Sequence, residues 1–226
     1  MCEDHILTFL SRPLAKPLAT AKDRSGANPF QYALRNLRSR CCELLLRLGA
    51  GALERDLNGT TAMHHIASQW LCFQPEIPIL VLWRRFISLG GSINVRDTRE
   101  NLPLFAYLAS SGPRLRSGMR REDGHSRCCH LEYFDVFFDA YGAELTLQNN
   151  IGQTALHIVA ERAGREEIER QPEYDAAMFS FLIDGGLDPL AKDIDGKTSV
   201  DVARKLGKDE IVRLVEGAYE DVVSLD

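Results

Sequence analysis

The sequence lacks what would place it in a bilayer, in a disulfide-stapled fold or in a metal site of ordinary spacing. No stretch approaches the roughly 20 uninterrupted apolar residues needed to cross a membrane. The apolar run at 79–83 is closed by Arg84 and Arg85. The opening Met-Cys-Glu-Asp-His is acidic where a secretory leader is basic, and 6–10 is shorter than a leader's apolar segment. Six cysteines, at 2, 41, 42, 72, 128 and 129, form no C-x-x-C pair. A chain of 226 residues can bury a sizeable core without covalent staples. Reduced thiols in a cytoplasmic or nuclear protein, with no membrane partner, are therefore expected. Glycine and proline, at 17 and 9 residues, are not enriched, and 45% of residues are apolar, which excludes a low-complexity or disordered chain. Without a leader, Asn58-Gly59-Thr60 reads as a turn rather than a glycosylation site.

The net charge of −5 conceals a polarity. Residues 1–130 carry 18 basic and 11 acidic side chains, whereas 131–226 carry 9 and 21. The two halves therefore present opposite fields to a partner.

What the chain does contain is internal repetition. Five segments align: Asp23-Arg-Ser-Gly-Ala-Asn-Pro-Phe-Gln-Tyr-Ala33, Asp56-Leu-Asn-Gly-Thr-Thr-Ala-Met-His-His-Ile66, Asp97-Thr-Arg-Glu-Asn-Leu-Pro-Leu-Phe-Ala-Tyr107, Asn149-Asn-Ile-Gly-Gln-Thr-Ala-Leu-His-Ile-Val159 and Asp193-Ile-Asp-Gly-Lys-Thr-Ser-Val-Asp-Val-Ala203. Four of them follow a second phrase, seen in Leu45-Leu-Arg-Leu-Gly-Ala-Gly-Ala52, Phe86-Ile-Ser-Leu-Gly-Gly-Ser-Ile-Asn94, Phe137-Phe-Asp-Ala-Tyr-Gly-Ala-Glu-Leu145 and Phe181-Leu-Ile-Asp-Gly-Gly-Leu-Asp188.

The physical content of the unit is direct. Asp with Gly three residues later predicts a turn whose glycine takes positive φ. Thr61, Thr154, Thr198 and, in the first unit, Asn28 are predicted helix N-caps. The next position holds Pro29, Ala62, Pro103, Ala155 or Ser199, and proline suits the first helical residue. Apolar residues then recur at helical spacing, with small alanines where a neighbouring helix comes close. A second apolar helix is predicted to stop at Gly49, Gly90, Gly142 or Gly185 in the left-handed conformation.

Two phrases in fixed order resemble the ankyrin repeat, with its D-x-x-G-x-T-P-L-H-x-A core and its second helix ending L-L-x-x-G-A-D-V-N. The resemblance covers about 23–215. It implies an all-α solenoid of stacked helix-turn-helix units joined by hairpin-like turns. An N-terminal capping helix or partial repeat plus linker is expected over 1–22, the array over 23–217 with units starting near 23, 56, 97, 149 and 193, and a frayed tail over 218–226. Residues 4–12 look like the second helix of an incomplete preceding unit, and 208–215 like the closing helix. Only the first of the four spacings, 33, 41, 52 and 44, equals the family period. The third unit departs most, with Glu100 in the glycine place and Leu102 in the cap place. The extra residues fall between first and second helices: 72–78, about 112–130, and 165–173.

His64 and His157 occupy the family's histidine place, where the resemblance implies that the imidazole ties backbone groups of adjacent units. Asn94 sits at the family's turn-bracing asparagine. His125, Cys128, Cys129 and His130 are the one cluster with metal-ligand chemistry. Zinc sites, however, space ligands as C-x₂₋₄-C with a second pair elsewhere, and adjacent cysteines point apart. No metal or other cofactor is expected. No motif turns a base toward a thiol, so Cys–His catalysis ranks last. Arg114, Arg116, Arg120, Arg121 and Arg127 make a candidate anion-binding loop, against the plainer reading of a solvated loop. The arginine stretch holds no aromatic residue for base stacking, which argues against nucleic acid.

The resemblance thus implies a non-enzymatic scaffold or adaptor that binds a protein partner through its concave, hairpin-tip surface, with no small-molecule substrate. Expected contacts are the variable tip and first-helix positions: Arg24, Ser25, Ala27, Arg35, Leu57, Asn58, Thr60, Ser68, Gln69, Thr98, Arg99, Asn101, Asn150, Ile151, Gln153, Glu161, Arg162, Ile194, Asp195 and Lys197. The alternative is the target-sensing segment of a larger signalling or ubiquitin-ligase adaptor, suggested by the half-unit at 4–12.

Overall fold

The computed structural model describes residues 3–12, 15–36, 38–68, 78–110, 142–162 and 172–223. Among these residues the regular structure is helical, in eleven helices, with a single isolated bridge between Lys192 and Thr198 and no extended strand. The described residues are thus compatible with the all-α class expected. It divides into two compact units, Met1–Tyr107 and Leu108–Asp226, described one at a time.

The first unit contains α1 (Glu3–Leu10), α2 (Ala15–Ala19), α3 (Pro29–Arg35), α4 (Ser39–Arg47), α5 (Ala62–Ser68) and α6 (Pro78–Ser88), and the start of α7 (Pro103–Ala109). Helices α3 and α5 pack on each other, and α4 packs on both α3 and α6. Helix α6 also packs on α5, and α1 lies against α4. Two layers result, α3 and α5 in one and α1, α4 and α6 in the other. Helices of seven residues do not hold alone in water, so each depends on its neighbours. Phe30, Leu34, Leu45, Met63, Ile66 and Phe86 are buried between the layers, and Ala33, Ala62 and Ala67 allow close approach.

The second unit repeats this plan with α8 (Ala155–Glu161), α9 (Pro172–Asp184), α10 (Ser199–Lys205) and α11 (Asp209–Val223). Helix α8 packs on α9 and α10, and α11 packs on α9 and α10. Leu156, Val159, Met178, Phe179, Leu182 and Ile211 are buried. The closing helix is longer than expected. It continues through Val223, so the boundary drawn between 217 and 218 falls inside it, and the tail is not frayed before that point. Asp209 and Glu210 in its first turn suit the helix dipole there.

Helix ends follow one rule, with one correction. Gly49, Gly90 and Gly142 have φ of +97°, +91° and +69°. After α9, in the fourth repeat, the left-handed residue is Gly186 (φ +91°), not Gly185. The Gly185 N–H still bonds helically to the Phe181 carbonyl at 3.0 Å. In α4, α6 and α9 the residue after the left-handed glycine reaches five residues back: Ala50 to Leu45, Gly91 to Phe86 and Leu187 to Leu182, at 2.9, 3.1 and 3.2 Å. This is the bond that closes a glycine-terminated helix.

Candidate interaction surface

Five turns project from the helix pairs, and their construction is the same each time. A carboxylate or amide oxygen of Asp23, Asp56, Asp97, Asn149 or Asp193 accepts from the N–H groups two and four residues on, at 2.8–3.2 Å. The same residue's N–H donates to the carbonyl four residues on: Ala27, Thr60, Asn101, Gln153 or Lys197. Its carbonyl accepts from the N–H three residues on, which belongs to Gly26, Gly59, Glu100, Gly152 or Gly196. Those five positions have φ of +77°, +71°, +59°, +75° and +74°. Glu100 is the only non-glycine with positive φ among the described residues. The turn imposes its conformation even where the sequence supplies a side chain that resists it.

Within each unit, neighbouring turns are joined by backbone bonds. Leu57 N–H donates to the Ser25 carbonyl at 2.8 Å, Thr98 N–H to Asn58 at 2.9 Å, and Ile194 N–H to Ile151 at 3.1 Å. A Cβ on Gly59 would lie 2.9 Å from the Thr98 nitrogen, and one on Gly152 would lie 3.1 Å from that of Ile194. Glycine is thus required twice at these two sites, for its φ and for the approach of the next turn.

A second tie runs beneath the tips. His64 Nε2 lies 3.1 Å from the Asn101 carbonyl, and His157 Nε2 lies 3.1 Å from that of Lys197. A carbonyl only accepts, so Nε2 carries the hydrogen and Nδ1 is the acceptor. Thr61 and Thr154 fill that acceptor, with their N–H at 3.3 and 3.2 Å and their hydroxyls at 3.0 and 2.9 Å. Both imidazoles are buried. Desolvation holds His64 below its ordinary value, against the raising effect of the Asn101 carbonyl. Gln31 does the same work in the first unit, a role not read from the sequence. Its Oε1 accepts from Asn28 N–H at 2.9 Å, and its Nε2 donates to the Thr60 carbonyl at 3.2 Å. The signal was its place three residues after the cap, shared with both histidines. In the third unit that place holds Phe105, and in the last Asp201, which bonds its own cap, Thr198, and pairs with Arg204 on the same helix.

These ties leave most tip side chains exposed. Arg24, Arg35, Leu57, Asn58, Thr98 and Arg99 are exposed in the first unit, as are Asn150, Ile151, Glu161, Ile194, Asp195 and Lys197 in the second. Leu57 and Ile194, at 73% and 71% exposed, are far more open than apolar side chains usually are. Ser25, Thr60, Ser68 and Asn101 are half-buried. Gln69 and the arginine loop of Arg114, Arg116, Arg120, Arg121 and Arg127 lie outside the described residues, as do His125, Cys128, Cys129 and His130. Among the described residues no group of three or more His, Cys, Asp or Glu side chains is placed to hold a metal ion.

Three expected contacts are corrected. Ala27 and Gln153 are 9% and 6% exposed. Ala27 lies under its own turn, with its N–H on Asp23. Gln153 has its amide bonded to Asn149 and to Glu161. Arg162 is engaged in a half-buried cluster: its guanidinium lies 3.3 Å from Asp175, whose other oxygen lies 2.9 Å from Lys208. Lys208 also donates to the Val159 carbonyl at the end of α8, at 2.9 Å. Nothing in the local pattern signals this cluster, because its members come from α8, α9 and the turn before α11.

No family model matches the sequence. Among the described residues, no helix is long and apolar enough to cross a membrane.

Proposed function

We propose that the chain is an ankyrin-type solenoid acting as a non-enzymatic scaffold, and that it binds a protein partner through its hairpin tips and adjoining first helices. One observation carries this reading. In each turn the backbone is satisfied internally, while the side chains at the second and third turn positions are mostly exposed, and where they bond, as Ser25 to Asp23, Thr98 to the Asn58 carbonyl and Asp195 to Lys197, the partner lies on the same or the adjoining turn. A platform so braced loses little conformational entropy on binding, and its exposed positions can vary without cost to the core. Exposed Leu57, Ile151 and Ile194 supply the apolar anchors that interfaces concentrate at their centres.

The test is site-specific photocrosslinking in cells. A crosslinking residue at Leu57 or Ile194 should capture a protein partner, whereas one at Glu43 or Arg47, exposed on the other helix layer, should not. Equal capture from both layers overturns the assignment of surface.

A further inference from the structure

We infer that Asn58 is a site of spontaneous covalent change. The Gly59 nitrogen displaces the Asn58 amide as ammonia, and the isoaspartate formed there cuts the tie between the second and third turns.

An asparagine amide is attacked by the backbone nitrogen that follows it, and a side chain on the following residue hinders the approach. The chain has seven asparagines, and only Asn58 precedes glycine. Asn28 precedes proline, which has no N–H to lose. Asn94 and Asn150 precede the β-branched Val95 and Ile151, and Asn36 and Asn101 precede leucine. Asn149 precedes Asn150, is buried, and its side-chain oxygen accepts two N–H bonds. Asn58 is exposed, and its carboxamide has no hydrogen bond among the described residues. The same place in the other glycine-bearing turns holds Ser25, Ile151 and Asp195, none of them an amide.

One bond stands in the way. The Gly59 N–H donates to the Asp56 carbonyl at 2.9 Å, so attack waits until the tip opens. Exposed tips, with few buried contacts, open at the least cost. The Gly59 nitrogen then gives its proton to solvent, bonds to the Asn58 Cγ and expels ammonia, leaving a cyclic imide. Water opens the imide on either side. Entry at the side-chain carbonyl gives aspartate. Entry at the main-chain carbonyl gives isoaspartate, in which the chain runs through Cβ and Cγ and the former Asn58 carbonyl becomes a free carboxylate.

The second route matters because of what that carbonyl holds. It accepts both the N–H and the hydroxyl of Thr98, each at 2.9 Å. The added chain carbon also falls between Asp56 and the Thr60 N–H that its carboxylate holds at 2.8 Å. Gly59 packs so closely on the third turn that a Cβ would lie 2.9 Å from the Thr98 nitrogen, which leaves a lengthened turn no room to keep its place. Either product puts a carboxylate at an exposed tip position.

The experiment holds the full chain at neutral pH and body temperature and follows it by peptide mapping, with isoaspartate counted by enzymatic methylation. Product should form at Asn58 about tenfold faster than at any other asparagine, and Asn58→Ser should form none there. A parallel sample unfolded in urea reports the same chemistry with the turn open. Product at 58 in the unfolded chain but not in the folded one overturns the inference, because the Asp56 bond then protects the site. So does a rate at 58 no greater than at the other asparagines. In the isolated isoaspartate form, exchange of the Thr98 amide hydrogen should be about tenfold faster than in fresh protein. Asn58→Asp, which carries the charge without the added carbon, should keep the slow exchange. Unchanged exchange in the isoaspartate form, or equal loosening in Asn58→Asp, overturns the rerouted chain as the cause. The melting temperature reports that each variant is folded.

Discussion

His157 stands on α8, yet its Nε2–H ends on the carbonyl of Lys197, 40 residues further along the chain. The imidazole holds its own helix cap, Thr154, with one nitrogen and the next turn with the other. His64 repeats the relationship with Thr61 and Asn101.

Removing such a group leaves a buried cap N–H and a carbonyl without their partner. His64→Ala should lower unfolding stability by about 2–4 kcal/mol, combining a lost buried bond with a cavity. His64→Gln should cost less than about 1.5 kcal/mol, because Gln31 already makes both contacts in the first unit. Urea denaturation of the two variants checks the ordering. Equal losses would mean that the ring's volume, not its two hydrogen bonds, is what matters.

The same histidine sets an acid limit. Burial lowers His64 in the folded state below its ordinary 6.5, and burial does the same to His65. Below 6.5 the unfolded chain takes up protons that the folded chain refuses. Stability from these groups is therefore complete above about pH 6.5 and is lost as pH falls toward and through the lower folded values. Each histidine contributes at most about 1.4 kcal/mol per pH unit to the slope. Denaturation between pH 5 and 7.5 should show this fall, with a smaller slope in His64→Gln.

The five turns make a prediction through their one exception. Glu100 has φ of +59° where the other four turns have glycine, a conformation costing a side-chain-bearing residue about 1–2 kcal/mol. Glu100→Gly relieves that strain but loses the exposed Arg96 pair and adds freedom to the unfolded chain, about 0.5–1 kcal/mol each. A net change within about 1 kcal/mol of zero is expected. Gly59→Ala, which introduces the strain and drives a Cβ to 2.9 Å from the Thr98 nitrogen, should cost more than 2 kcal/mol. Thermal melts separate the two.

Asp175 is the shared counter-charge of Arg162 and Lys208, whose side chains are only 13% and 15% exposed. Asp175→Ala takes the shared carboxylate from both cations, and a loss of about 2–4 kcal/mol is expected, short of the full penalty for a dry interior. Raising the salt concentration should recover little of it, because partly buried pairs are weakly screened. Full recovery in high salt would show that the cluster behaves as a surface pair.

Most of the local architecture was legible because it is local. A turn closed by Asp and a left-handed residue, a cap and a first-turn proline all act within a few residues, so Asp56, Gly59 and Thr61 announce themselves by type and spacing. Legibility failed where a contact joins distant residues or where two residues compete for one role. Gly185 and Gly186 are chemically identical neighbours, and only the extra residue of α9 decides which one turns left-handed. Gln153 looked like a variable tip residue because its burial comes from Asn149 and Glu161, on either side of it. The cluster around Asp175 brings together residues up to 46 positions apart, a relation no spacing rule contains. Tip exposure could be expected from the repeat; which turn carboxylates also bind side chains, as Asp23 binds Tyr32 and Ser25, could not.

Gln31, His64 and His157 all reach forward, each toward the turn that follows it, and none reaches back. The fold therefore has a grain. Trimming the chain before Asp56 deprives the Thr60 carbonyl of one donor, yet that carbonyl keeps the Asp56 N–H. Trimming it before Asp193 leaves the buried Nε2–H of His157 facing nothing. Erosion from the carboxyl end should be the more damaging of the two, and Asp201, whose bonds go to its own cap Thr198 and to Arg204 on its own helix, ties no later turn.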